Sequence, residues 1–189
     1  MSKRKITIYD MVIVGLFAAM VFVCTMFLGF RIPTPTGTTM LKTANAICLL
    51  GGLLFGGVRG GLAAGFGSML FDLTYPEYAA GAPITFVLFF IMGFTCGTIA
   101  HWGGNKAPSV GRTIVAAAGG AVAYSLCYIA KSIITLMLAG SAFIPAFIAT
   151  TPKMLTTSIN AVFGIVVATI LAGILRPRLV QAGLMKKFE

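Results

Sequence analysis

From Met11 to Phe30 the chain carries no charged side chain, and similar apolar runs recur along its length, separated by short stretches rich in Gly, Pro, Lys and Arg. About 20 apolar residues coiled as a helix match the hydrocarbon thickness of a bilayer. In lipid, a helix satisfies its own backbone hydrogen bonds where an open sheet edge does not. Composition points the same way: 58% of the 189 residues are hydrophobic and 10% are charged, with a mean hydropathy of +0.99, whereas roughly a quarter of residues are charged in soluble domains. The expected fold class is an all-α integral membrane protein, with residues 1–189 forming a single membrane domain.

Six transmembrane helices are expected, at about 9–30, 44–58, 61–74, 83–102, 113–139 and 153–175. The second and third come from "ANAICLLGGLLFGGVRGGLAAGFGSMLF", which at about 28 residues is too long for one crossing. Its central Arg59 sits among glycines, so a tight hairpin that carries Arg59 to a membrane surface is the better reading. The opening "MSKRK" precedes an apolar run too long for a signal-peptide core and without a small-x-small cleavage site, so the first span is expected to be retained. Placing the N and C termini in the cytoplasm leaves only Arg31, Lys42, Lys131 and Lys153, of 14 basic residues, outside or in the outer half. This matches the positive-inside rule, and Asp72 and Glu77 then fall on the outer side.

Several function classes drop out. The net charge of +10 punctuates apolar runs instead of gathering on one solvated face, which argues against nucleic acid. Cys24, Cys48, Cys96 and Cys127 lie in apolar segments without C-x-x-C pairing or histidine companions, so neither a disulfide framework nor a metal site is signalled. No cofactor is implied. There is no phosphate-binding G-x-x-x-x-G-K-[ST] motif and no nucleophile-base arrangement, since His101, beside Trp102, belongs at the cytoplasmic end of the fourth span. Nor do the halves show the inverted repeat of a secondary transporter. The expectation is a membrane-embedded ligand binder, not an enzyme, that needs another protein to drive movement of its ligand.

Lys131 lies mid-helix in "SLCYIAKSIITLMLAG". A lysine at membrane depth costs about 2.5–3.5 kcal/mol unless it snorkels, pairs or faces a polar cavity. Tyr124, Tyr128, Lys131 and Thr135 share one helical face, and in the sixth span so do Lys153, Thr157, Asn160 and Gly164. Counted from the outer helix ends at about 1.5 Å per residue, Lys131 lies roughly 12 Å deep and Asn160 roughly 10 Å deep. The two stripes are therefore expected to line one outward-opening pocket. The alternatives are snorkelling by Lys131, packing by the tyrosines, and interhelical bonding by Asn160.

Two outer loops add to this. "FRIPTPTGTTMLKTANA" carries more polar backbone than a minimal connection needs and reads as a lid. "FDLTYPEYAAGAPITF" brings Asp72, Tyr75, Glu77 and Tyr78 to the same side, where aromatic and carboxylate groups beside a lysine can sandwich a small heteroaromatic ring. In the first span, Gly15, Ala18 and Ala19 have the small-x-x-x-small spacing that admits a second helix, or serves internal packing.

The run from "GLFAAMVFVCTMFLGFRIPTPTGTTM" through "YPEYAAGAP" resembles the substrate-binding S component of energy-coupling factor (ECF) vitamin importers, in the branch with hydroxymethylpyrimidine or pyridoxine, pantothenate and riboflavin type members. The resemblance implies a multi-pass protein of the bacterial cell membrane that captures a vitamin with its first loop and last three helices. It also implies docking through the small residues of helix one, here Gly15, Ala18 and Ala19, onto an EcfT-type transmembrane scaffold carrying two cytoplasmic EcfA-type ATPases. Toppling of the S component would then expose the ligand to the cytoplasm. The expected ligand residues are Lys131, Tyr128, Asn160, Tyr78, Glu77, Thr157, Tyr124 and Lys153. A flat hydroxylated pyrimidine or pyridine suits the aromatic members of this set, pantothenate suits Lys131 with Lys153, and the tricyclic ring of riboflavin asks for a larger apolar slot. A non-transport structural membrane protein is the alternative from another class.

Overall fold

The computed structural model describes residues 8–34, 37–102 and 109–181. Six long helices dominate: α1 (Ile8–Phe27), α2 (Ala44–Phe55), α3 (Gly57–Thr74), α5 (Ala82–Ala100), α6 (Val110–Leu138) and α7 (Phe143–Gln181), with a single-turn α4 (Pro76–Ala79) between α3 and α5. Four of these, α1, α5, α6 and α7, are long and apolar enough to cross a membrane. The 12-residue α2 extends only about 18 Å, short of the roughly 30 Å hydrocarbon core. The protein is a multi-pass, predominantly helical membrane protein.

The Gly-rich hairpin forms, with its bend three residues before Arg59, which lies in the first turn of α3. A single residue, Gly56 at φ +88°, separates α2 from α3, in a left-handed backbone conformation that side-chain-bearing residues rarely adopt. The two helices then run almost in contact: a Cβ on Gly60 would lie 2.4 Å from the Gly52 Cα. Arg59, just past the bend, pairs with Asp10 at the start of α1 at 2.7 Å, placing that bend and the beginning of α1 at one end of the bundle. At the same end, the Arg112 guanidinium donates to the carbonyls of Ile99, at 3.2 Å, and Trp102, tying the start of α6 to the end of α5. His101 closes α5 half-buried, its Nδ1 3.0 Å from the Gly97 carbonyl. Lys3, Arg4, Lys5, Lys106, Lys186 and Lys187, which carried much of the charge asymmetry, lie outside the described residues.

The segment expected as a lid is a β-hairpin in an otherwise helical chain: Gly29–Thr34 (β1) and Gly37–Lys42 (β2) pair antiparallel, with Arg31 opposite Met40 and Gly29 opposite Lys42. One span limit needs correction: the last helix starts earlier than the expected residue 153. Only the stretch from Ala139 to Ala142 links the last two long helices, and α7 already begins at Phe143. Pro145 sits in the first turn of α7, where an amide hydrogen would have no helical partner anyway, and Pro152 is carried inside the helix. The hydroxyls of Thr150 and Thr156 donate back to the carbonyls of Ala146 and Pro152, four residues earlier, at 2.8 and 3.0 Å.

The core lies where α2 passes between its neighbours. Leu49, Leu50 and Leu53 are fully buried with Val21, Phe89, Met92 and Cys96, and the small residues Ala116, Ala117 and Ala121 bring α6 close. This packing sets the level at which the polar ends of α3, α5, α6 and α7 meet.

Candidate functional site

At the end of the bundle opposite the Asp10–Arg59 pair lies a cavity of about 310 Å³. Tyr124, Tyr128 and Lys131 reach it from α6, and Lys153, Thr157 and Asn160 from α7. Glu77 and Tyr78 come from α4, Thr85, Leu88 and Phe89 from the first turns of α5, Asp72 from the end of α3, and Met40 and Lys42 from β2. All eight expected ligand residues therefore line one cavity. Two members of the helical stripes do not. Thr135 is exposed and returns its hydroxyl to the Lys131 carbonyl at 2.8 Å, and Gly164 sits a turn deeper, beneath α2. Tyr75 stays outside as well, with its ring 5.0 Å from Phe71.

The aromatic wall is continuous. Tyr124 and Tyr128, four residues apart on α6, stack with centroids 5.8 Å apart and planes at 13°, and Phe89 leans on Tyr124 at 4.8 Å. Lys131 approaches the α4–α5 turn, its ammonium 3.8 Å from where a Cβ on Gly81 would stand, and Lys153 donates to the Ser132 hydroxyl at 3.4 Å.

Asn160 does something that helical periodicity did not foretell. Its Nδ2 donates to the Met40 carbonyl at 2.8 Å, and its Oδ1 accepts from the Lys42 amide at 3.0 Å. These two backbone groups flank Leu41 on the edge of β2 turned away from β1, so the amide acts as one rung of a third strand and clasps the hairpin over the cavity. Asn160 thus faces the lid, and what it offers a ligand is the remaining lone pair and N–H.

Lys42, Asp72 and Thr85 are the polar lining residues that were not among the expected ligand contacts. Lys42 ends β2, and its ammonium lies 5.1 Å from the Phe89 centroid and 5.5 Å from that of Phe71. No acceptor or carboxylate is within hydrogen-bonding or ion-pairing reach of it among the described residues. Burial lowers this ammonium below the usual lysine value; the Asp72 carboxylate pulls it back up, and Lys131 adds to the lowering. The available signal was a lysine standing immediately before an apolar helix in "MLKTANA", which reads as an interfacial charge until the hairpin folds it inward. With Lys42, Lys131 and Lys153 facing Asp72 and Glu77, the cavity has more ammonium than carboxylate groups. Chemically it can hold a small polar ring against the tyrosine wall and hydrogen-bond its substituents from several sides.

Of the small residues on α1, Gly15 and Ala19 face outward and a Cβ on Gly15 would meet nothing within 4 Å, whereas Ala18 is buried and its carbonyl lies against Gly67 of α3. Among the described residues no cluster of His, Cys, Asp and Glu is arranged to hold a metal.

No curated protein matches the chain. The family described as "ECF-type riboflavin transporter, S component" matches it over residues 5–177, which takes in the β-hairpin, the residues lining the cavity and all of the long helices but the last turn of α7, and on that match the chain belongs to this S-component family.

Proposed function

We propose that this chain is the high-affinity binding subunit of an ATP-driven importer, taking up a small ring of the hydroxymethylpyrimidine or pyridoxine type. The observation that carries the reading is the convergence of Tyr124, Tyr128, Lys131, Lys153, Thr157 and Asn160 with the α4 pair Glu77 and Tyr78 on one cavity beneath a hairpin. A tyrosine wall opposite donors and carboxylates suits a flat ring with hydroxyl and ring-nitrogen substituents. Pantothenate is the second reading, favoured by three ammonium groups against two carboxylates in the lining. Riboflavin, the ligand in the family's description, fits less well, because its three fused rings need a longer apolar slot than a cavity of about 310 Å³ ringed by charged residues provides.

In this reading the six long helices cross the bacterial cell membrane with both termini in the cytoplasm. α1 meets an EcfT-type scaffold through the open face at Gly15 and Ala19, and two EcfA-type ATPases supply the energy.

The test is mass spectrometry of small molecules co-purifying with the detergent-solubilised protein, beside a thermal-shift panel of hydroxymethylpyrimidine, pyridoxine, pantothenate and riboflavin. Retention of one compound by wild type and its loss in Lys131→Met supports the reading. A ligand retained equally by both proteins places binding elsewhere. A panel without a shift, together with failure to co-purify with scaffold and ATPases, sinks the transport role in favour of a structural one.

A further inference from the structure

Lys42 and Asp72 reach the cavity from the end of β2 and the end of α3. Asp72 is 6% exposed, and the Lys42 ammonium lies against the rings of Phe89 and Phe71. The two groups act on each other through space, the carboxylate favouring the charged ammonium, yet they are not in ion-pairing contact. Neither side chain makes a hydrogen bond or an ion pair among the described residues. A carboxylate and an ammonium held apart at a buried site each still need a hydrogen-bonding partner, and a ligand lodged between them can serve both.

We propose that the gap between Lys42 and Asp72 takes the edge of an aminopyrimidine: the Lys42 ammonium donates to a ring nitrogen, and the amino group beside that nitrogen donates to the Asp72 carboxylate. This rests on the small-ring importer proposed above and chooses between its two ring types. On an aminopyrimidine the acceptor and the donor flank one ring carbon and are fixed in the ring plane, so both bonds form without freezing a rotor. The hydroxymethyl groups of a pyridoxine-type ring must be immobilised first, which costs affinity. Charge points the same way. A ligand carboxylate in this gap, such as that of pantothenate, would satisfy Lys42 but stand beside the Asp72 carboxylate and be repelled. A neutral edge that accepts on one side and donates on the other leaves the two protein charges balanced.

The test is calorimetric titration of the full chain in detergent with hydroxymethylpyrimidine, which carries an amino group beside a ring nitrogen. Its analogue without the amino group should bind wild type on the order of 10- to 100-fold more weakly, the value of a hydrogen bond to a charged group. The analogue with C–H in place of the ring nitrogen beside the amino group should lose a comparable factor. Asp72→Leu should bind the amino and desamino compounds alike. Asp72→Asn, which keeps the shape and one acceptor, should retain about a fivefold preference and serves if the leucine variant does not fold. Equal affinity of wild type for the amino and desamino compounds overturns the proposal, as does a full preference surviving in Asp72→Asn. Pyridoxine bound more tightly than hydroxymethylpyrimidine overturns the bridge and leaves the small-ring importer standing. Binding of pantothenate or riboflavin alone overturns both, and so does a chain that binds none of these compounds and fails to co-purify with scaffold and ATPases.

Discussion

Replacing Asn160 by Leu keeps the size of the side chain and removes both hydrogen bonds that hold β2, from Nδ2 to the Met40 carbonyl at 2.8 Å and from the Lys42 amide to Oδ1 at 3.0 Å. At about 1 kcal/mol net for each bond, the hairpin loses about 2 kcal/mol of attachment, which raises the population of the detached form about 30-fold. The Lys42 amide points away from β1, so Asn160 is its protection, whereas the Leu41 amide is turned toward β1 by the antiparallel alternation. Hydrogen exchange read by NMR on the ligand-free protein should therefore quicken about 30-fold at the Lys42 amide and little at Leu41. Ligand dissociation should speed up in the same variant, because the same attachment closes the cavity. Exchange at Lys42 within about twofold of wild type would refute the clasp, since two lost bonds cannot leave that amide equally protected.

Lys42→Met should raise the melting temperature of the ligand-free protein, by an amount on the order of 1 kcal/mol, while abolishing ligand binding, because it removes a desolvated ammonium whose compensation is two ring faces. A variant that lost stability and binding together would make Lys42 a packing residue. Since the Lys42 ammonium titrates below 10.5 and a ligand acceptor would hold its proton, affinity should be level at lower pH and fall as pH rises through that lowered value. Ligand-free stability should rise over the window up to 10.5, where the unfolded chain binds more protons. Calorimetry in buffers of different ionisation enthalpy should detect proton uptake on binding there, and its absence would disconnect Lys42 from the ligand. Gly15→Phe should leave folding and ligand binding intact, because its Cβ meets open space, and should prevent co-purification with the scaffold; an intact complex would move the docking face elsewhere. Gly60→Ala should lower the melting temperature by the equivalent of about 1–3 kcal/mol, because a Cβ there would stand 2.4 Å from the Gly52 Cα; an unchanged melting temperature would contradict the close crossing of α2 and α3.

Much of this protein follows from one-dimensional pattern. Apolar runs at bilayer length call for helices because lipid offers the backbone no other partner, and a residue set repeating every three or four positions must share a helix face wherever the helix packs. The polar stripes of α6 and α7 were legible on those grounds, as was the glycine hairpin around Gly56. What the sequence left open depends on partners far away along the chain. Pro152 looks like a terminator locally, yet α7 runs from Phe143 to Gln181 straight through it. Ala18 and Ala19 are adjacent small residues of similar character, and only packing against α3 decides that the first turns inward and the second outward. The hairpin needed contact order of another scale: Asn160 and Lys42 are 118 positions apart, and no local rule says that an amide in the last helix completes the edge of a strand near the first. The amino-acid sequence by itself determined the solvent this protein lives in, its helices and the faces they carry. The tertiary structure decided which faces meet, and with that it made Lys42 part of the cavity and Asn160 the clasp above it.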